Sequence, residues 1–289
     1  MFSWAVSVEN ARKHYPRTAL YTDDEGARLL VDELALPFEH VSTPLNDLAG
    51  HNPDWWALGK VLTYSLQEEP FVHIDSDVYL WSALPERLAS ADVIAQNPEE
   101  FDNSDTYCQP NLIMQSIGAV KGWVPAEMSD YTPRAGIPRS ACCGIVGGRR
   151  VDFLRHYASQ AIRFLDHPSN RSVWRTLRDQ HNLRGGLNMF FEQHLLVACL
   201  DYHGRRAKSP YAAIRIEYLF NDFGDAFRRA AEFGFTHLLG DSKRDTRLLA
   251  LLEKRVRTFY PAYYERCMNY CKRSNGSRSL KFSVHGGTA

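Results

Sequence analysis

The sequence predicts an α/β protein, a mixed and mainly parallel sheet flanked by helices. Three observations lead there. Short β-prone runs alternate with amphipathic stretches from residue 4 onward, the pattern of β-α-β units. An apolar strand, Phe71-Val72-His73-Ile74, runs directly into a pair of aspartates. The chain has 289 residues, 44% of them hydrophobic, which is enough for a large core.

The elements follow in order. Trp4, Val8, Ala11 and Tyr15 lie at helical spacing, and Pro16 ends that helix. Thr18 to Tyr21 is β-prone, Thr22-Asp23-Asp24 offers an N-cap, Glu25 to Leu34 reads as helix, and Phe38 to Val41 as a second strand. Asp54 is placed to cap a helix from Trp55 to Gln67, before the strand at Phe71. Asp77 to Trp81 continues extended, Pro85 opens a new element, and Ala91 to Ala95 is another strand. Residues 97–140 form a polar excursion with one helical stretch from Asn111 to Ala119. Cys142 to Gly147 is a small-residue strand, Val151 to Leu165 an amphipathic helix, and Asn188 to Leu200 a largely apolar one. Arg215 to Leu219 is a strand, Phe227 to Phe233 a helix, and Thr236 to Leu239 a short strand. Arg244 to Tyr264 is a long helix interrupted near Pro261. Residues 1–272 are expected to form a single domain, and the Ser/Gly-rich residues 273–289 a flexible tail.

Bulk properties exclude several classes. With 34 basic and 34 acidic side chains there is no global electrostatic case for nucleic acid. No apolar run is long enough to span a bilayer. Met1-Phe2-Ser3-Trp4 is followed by polar residues rather than a secretory leader. Six cysteines without a C-x-x-C pair fit a reduced, cytoplasmic chain.

Chemistry concentrates first at Asp75 and Asp77. Carboxylates at the end of a buried strand need a counter-charge, and the ends of such strands are where α/β sheets bind ligands. A divalent cation, Mn2+ or Mg2+, supplies that charge and bridges a diphosphate. Much later stands His237-Leu238-Leu239-Gly240-Asp241-Ser242-Lys243. An imidazole suits manganese, and a lysine suits a phosphate as a point charge.

The D-x-D together with this late H-x-x-G-x-x-K segment resembles retaining glycosyltransferases of the GT-A fold, the nucleotide-diphospho-sugar transferases. The resemblance implies that Asp75, Asp77 and His237 hold the metal. It further implies that Gly240 allows close approach of the diphosphate and that Lys243 contacts a phosphate. Asp75 would also touch the donor. Glu192-Gln193 matches an acidic-Gln pair under the reacting sugar in the same superfamily, where it would stabilise charge at the anomeric carbon. Asp23, at the end of an early strand, would accept from base or ribose. Lys60, one turn after Trp56, would reach the diphosphate or sugar, and Gly144 would touch the donor.

The phrases Leu20-Tyr21-Thr22-Asp23, Trp56-Ala57-Leu58-Gly59-Lys60 and Val72-His73-Ile74-Asp75-Ser76-Asp77 are together similar to a bacterial family of D-x-D glycosyltransferase-like proteins. Two departures stand out. Arg244-Asp245 replaces the Pro-Trp usual after the lysine, and the chain opens on a helix where a GT-A domain opens on a strand.

The function expected is transfer of a sugar from a nucleoside-diphosphate sugar, a UDP-sugar first, to a glycan, peptide or small-molecule acceptor with retention of configuration. The alternatives are an inactive nucleotide-sugar-binding protein of the same fold, and a metal-dependent nucleotidyl or phosphoryl transferase. The latter is disfavoured by the absence of a G-x-x-x-x-G-K-[ST] loop.

Overall fold

The computed structural model describes residues 1–101, 108–131 and 139–277. In chain order they form α1 (Phe2–His14), β1 (Ala19–Tyr21), α2 (Asp24–Ala27), β2 (His40–Ser42), α3 (Trp56–Ser65), β3 (Phe71–Ile74), β4 (Val78–Leu80), α4 (Glu86–Ala89), β5 (Val93–Ala95) and β6 (Pro98–Glu100). Then come α5 (Pro110–Ala119), α6 (Ala126–Ser129), β7 (Arg139–Ala141), β8 (Ile145–Gly148), α7 (Val151–Asp166), α8 (Arg171–Asp179), α9 (Arg184–Met189) and α10 (Leu195–Gly204). The last are β9 (Ile216–Tyr218), α11 (Phe223–Arg228), β10 (Phe235–His237), α12 (Thr246–Phe259) and α13 (Pro261–Ser277). The protein is therefore mixed α/β, with helices dominant and the strands short.

The chain divides into two compact units, one of Met1–Thr43 with Leu238–Ala289, the other of Pro44–His237. In the first unit, β1 and β2 pair in parallel, Ala19 opposite His40 and Tyr21 opposite Ser42. A π-helical turn, Arg28–Glu33, extends α2, so the expected β-α-β crossover forms. Ala5, Val8, Leu20, Leu30, Leu34 and Cys267 make its core. Asp245 caps α12, accepting from Arg247 N at 2.8 Å and Leu248 N at 3.1 Å. Helix α13 carries residues 273–277, placed in the tail by the sequence; 278–289 lie outside the described residues.

In the second unit the largest sheet has the order β3-β8-β5-β9. Strand β8 runs antiparallel to both β3 and β5, while β5 and β9 are parallel. Strand β4 pairs antiparallel with β10, and β6 with β7. The mainly parallel sheet expected from the sequence is thus corrected, since most described ladders are antiparallel. The β-α alternation is clear only near the N-terminus; later strands return through loops and hairpin-like partners, which the local pattern does not encode. Gly147 makes the β3–β8 approach possible, because a Cβ there would lie 2.0 Å from Phe71 O.

Helix α7 packs Phe153, Leu154, Tyr157, Ala158, Ala161, Phe164 and Leu165 into the core, the i, i+3, i+4 stripe its sequence promised. Two local expectations fail, and one helix lies where none was expected. Asp54 does not cap α3; Asn188, fully buried, does so from a distance, accepting from Ala57 N at 3.0 Å and donating to Asp54 O at 2.8 Å. The helix expected at Phe227–Phe233 is α11, which starts earlier because Asp222 caps it, accepting from Asp225 N at 2.7 Å. Helix α8, with a narrow stripe of Val173, Trp174 and Leu177 in an otherwise charged run, was not anticipated.

His194 gives one testable consequence of burial. It is 3% exposed, and its Nδ1–H donates to Arg139 O at 2.8 Å. Burial, only partly offset by that bond, holds its pKa down at about 4 against an ordinary 6.5. The unfolded chain therefore takes up a proton that the folded chain refuses. Stability from this group is full above pH 6.5 and falls as pH drops towards 4, by about 3 kcal/mol across that window. Urea unfolding between pH 7 and 4 should show the slope, and His194→Gln should flatten it.

Candidate metal centre

Strand β3 ends at Ile74, and Asp75 N–H donates to Gly144 O at 3.0 Å. Val78 N–H then donates to Asp75 O at 2.9 Å, closing a turn over Asp75-Ser76-Asp77-Val78. The chain continues as β4, whose Val78 is opposite His237 of β10. That register sets a histidine from the far end of the unit beside Asp77, with His237 Nε2 3.5 Å from Asp77 Oδ1. The ligand atoms of Asp75, Asp77 and His237 all lie within 4.8 Å of one another.

The tautomer of His237 is set by a directional chain of hydrogen bonds. Pro98 O can only accept, and it takes Asn97 Nδ2 at 3.0 Å. Asn97 Oδ1 then accepts from Gln96 Nε2 at 3.1 Å, so Gln96 Oε1 is left to accept from His237 Nδ1 at 2.7 Å. Both amides are buried. With its hydrogen on Nδ1, His237 turns the Nε2 lone pair towards a carboxylate, in a place where the two side chains are 7% and 11% exposed. Two electron-rich atoms so placed need a positive charge between them, either a second proton on the ring or a cation. Neighbouring ligands on an octahedral Mg2+ or Mn2+ stand about 3 Å apart and opposite ones about 4.2 Å, so the 3.5 Å between His237 Nε2 and Asp77 Oδ1 is within the range of two donors to one ion.

Gly144 lies against this histidine. A Cβ there would lie 2.5 Å from His237 Nδ1 and Cε1 and 2.4 Å from Gln96 Oε1. Gly144→Ala is expected to push the ring off its seat and weaken Mn2+ binding by about tenfold or more, with the fold retained. A manganese titration checks this; wild-type affinity in the variant would mean the seat does not position the ligand.

Asp75 faces a second cluster. Lys60 Nζ is 3.0 Å from Asp75 Oδ1 and 2.8 Å from Glu192 Oε1, and it donates to Cys143 O at 3.2 Å. His73 Nε2 lies 2.9 Å from Asp75 Oδ1, and Tyr64 OH donates to Glu192 Oε1 at 3.1 Å. Burial by itself would lower the Lys60 pKa, but the carboxylates of Asp75 and Glu192 overrule it and hold the ammonium charged. Burial also works against the charge on Asp75, yet Lys60 and His73 keep its carboxyl well below the usual range. Glu192 is the weaker partner: burial first, then the Asp75 charge, raise its pKa.

Asp75, Asp77, His237, Lys60, Gly144 and Glu192 come together in the second unit. Glu192 and Gln193 sit on a π-helical turn, Phe190–His194, between α9 and α10. Glu192 is fully buried and engaged with Lys60. Gln193 is 8% exposed, and its Oε1 has no hydrogen-bond partner among the described residues. Trp55, half-buried, packs on the core against Trp174 and Phe191, whereas Trp56 is 49% exposed with Lys60 Nζ 5.7 Å from its ring.

Asp23, Gly240 and Lys243 belong to the first unit. Asp23 caps α2, accepting from Gly26 N at 2.7 Å. Gly240 has φ +50 and opens a single 3-10 turn, Gly240–Arg244, on which Lys243 is exposed.

Gln96, Asn97, His73, Tyr64 and Asn188 were missed. A signal existed for two kinds of them. Gln96-Asn97 follows the apolar strand β5 as the aspartates follow β3, and His73 shares a strand face with Asp75 at i, i+2.

The fold and site define a mixed α/β protein with a buried carboxylate–histidine cluster where one strand leaves a sheet and the next joins another. The chain belongs to DUF6734, a family of unknown function whose profile matches residues 1–270. No curated protein and no solved structure matches it.

Proposed function

We propose that the protein is a metal-dependent glycosyltransferase of GT-A type, acting on a nucleoside-diphosphate sugar, UDP-sugar first. The observation that carries this is the β4–β10 register, which brings His237 beside Asp77 from the distant segment that the resemblance names. A bound Mn2+ or Mg2+ would supply neutralisation of the departing diphosphate. Asp75, Asp77 and His237 would hold it. The Gln96–Asn97 relay keeps His237 in the ligand tautomer. Lys60 keeps Asp75 ionised and in place. The exposed face of Trp56 offers a flat apolar surface to a base or sugar ring. Gln193 Oε1 offers an acceptor to a hydroxyl.

A second function, donor binding without turnover, is favoured by one feature: the Glu192 carboxylate is sealed between Lys60 and Tyr64. One experiment separates the two. The protein is incubated with Mn2+ and a panel of nucleotide sugars, with and without sugar and peptide acceptors, and released nucleotide is measured. Free nucleoside diphosphate is expected. Donor binding without release would identify the binding protein, release of sugar 1-phosphate with the nucleoside monophosphate passed to an acceptor would identify a nucleotidyl transferase, and neither binding nor release would remove the proposal.

A further inference from the structure

A second cluster of ligand atoms lies in the same unit, away from the D-x-D turn, where α6, α7 and α10 meet. Glu127 of α6, His156 of α7 and His203 of α10 point their donor atoms at one place, all within 4.8 Å of one another. His156 Nε2 is 2.8 Å from Glu127 Oε1, His203 Nε2 is 3.2 Å from His156 Nε2, and His203 Nε2 is 3.6 Å from Glu127 Oε1. We propose that Glu127, His156 and His203 form a zinc-class metal site with three protein ligands, independent of the glycosyltransferase proposal.

Three arguments support it. The first is size. A triangle with those sides has a circumradius of about 1.9 Å, so an ion just out of its plane sits about 2.0–2.1 Å from all three donors, the length of Zn–N and Zn–O bonds. The second is orientation. His203 Nδ1 is 2.8 Å from Ser209 Oγ, which also accepts from Tyr211 N–H at 3.1 Å. We assign the ring hydrogen to Nδ1, which leaves the Nε2 lone pair facing the cluster, the arrangement that an outer hydrogen bond imposes on a ligating histidine. Two imidazole Nε2 atoms 3.2 Å apart are then held together by one shared proton or by a cation. The third is charge. Glu127 and His203 are 5% and 8% exposed, Arg205 and Arg206 just after His203 are paired with Asp201 and Asp130, and Arg206 is also stacked on Tyr202. One carboxylate with two neutral imidazoles suits a divalent ion.

The donor set also fixes the class. Two imidazoles with one carboxylate favour Zn2+ and Co2+ over Mg2+ and Mn2+, which prefer oxygen. His156 is 26% exposed, so the fourth position opens to water. Helix α6 has only four residues, too few to hold its own shape. An ion on Glu127 would tie it to α7 and α10.

The test is a titration of metal-free full-length protein with Zn2+ by calorimetry, repeated with Co2+ by visible absorption. One equivalent of Zn2+ is expected to bind to Asp77→Asn protein, in which the other centre is disabled, with the intense visible bands of low-coordinate Co2+ in the parallel run. His156→Asn, at the partly exposed ligand, and Glu127→Gln should each weaken binding by about 100-fold with circular dichroism unchanged. Asp77→Asn should leave it intact. If no equivalent of Zn2+ binds to Asp77→Asn protein, or if that equivalent survives addition of either ligand substitution, the site is overturned. Because the Asp77→Asn protein reports on the other centre, its behaviour separates failure here from failure of the glycosyltransferase proposal.

Discussion

Lys60→Met is expected to lower unfolding stability by about 3–5 kcal/mol, the cost of stranding buried charge when one partner of an interior ion pair is removed. The Lys60 side chain is 13% exposed and stands between a carboxylate that is 23% exposed and one that is fully buried. Without the ammonium, the carboxylates of Asp75 and Glu192 repel each other, although His73 lies against the first and Tyr64 donates to the second. Methionine restores the volume of the stem but none of the charge, so packing loss is kept small and the electrostatic effect isolated. Lys60→Arg should fall between, since a planar fork does not replace a compact ammonium. Glu192→Gln should cost much less than Lys60→Met, because the raised pKa of Glu192 marks it as the carboxylate already closest to neutral. Urea denaturation of the four proteins at pH 7 gives the order directly; equal losses for Lys60→Met and Glu192→Gln would mean the charges are not coupled in this way.

The second large effect is on binding. Asp77→Asn and His237→Ala are each expected to weaken Mn2+ affinity by about 100-fold, and donor turnover with it. Asparagine keeps the shape of Asp77 while removing the charge, so stability should not fall. A drop in melting temperature comparable to that of Lys60→Met would instead assign Asp77 a structural role.

How much of this the sequence disclosed can be followed residue by residue. The apolar strand before the aspartates, the helix of Val151–Asp166 and the β1–α2–β2 crossover were legible because their signals are local: periodicity, caps and turn residues. The meeting of Asp77 with His237 rested on resemblance, since nothing within either segment reveals a β4–β10 ladder. The antiparallel insertion of β8 between β3 and β5 was hidden for the same reason. Lys60 and Glu192 were each singled out, yet their ion pair joins α3 to the turn after α9 and depends on packing that no spacing encodes. Asn188 capping α3 is the plainest case: a side chain 131 residues away replaces the adjacent Asp54 that local rules nominate.

The central claim is that the D-x-D turn and His237 hold one divalent cation for a nucleotide diphosphate. Electron paramagnetic resonance of free Mn2+ during titration of metal-free protein, with and without uridine diphosphate, tests it most directly. One Mn2+ bound per chain, tightened by the nucleotide and lost in Asp77→Asn and His237→Ala, is the result expected. Uptake that is unchanged in both variants, or no uptake even with nucleotide present, would contradict it.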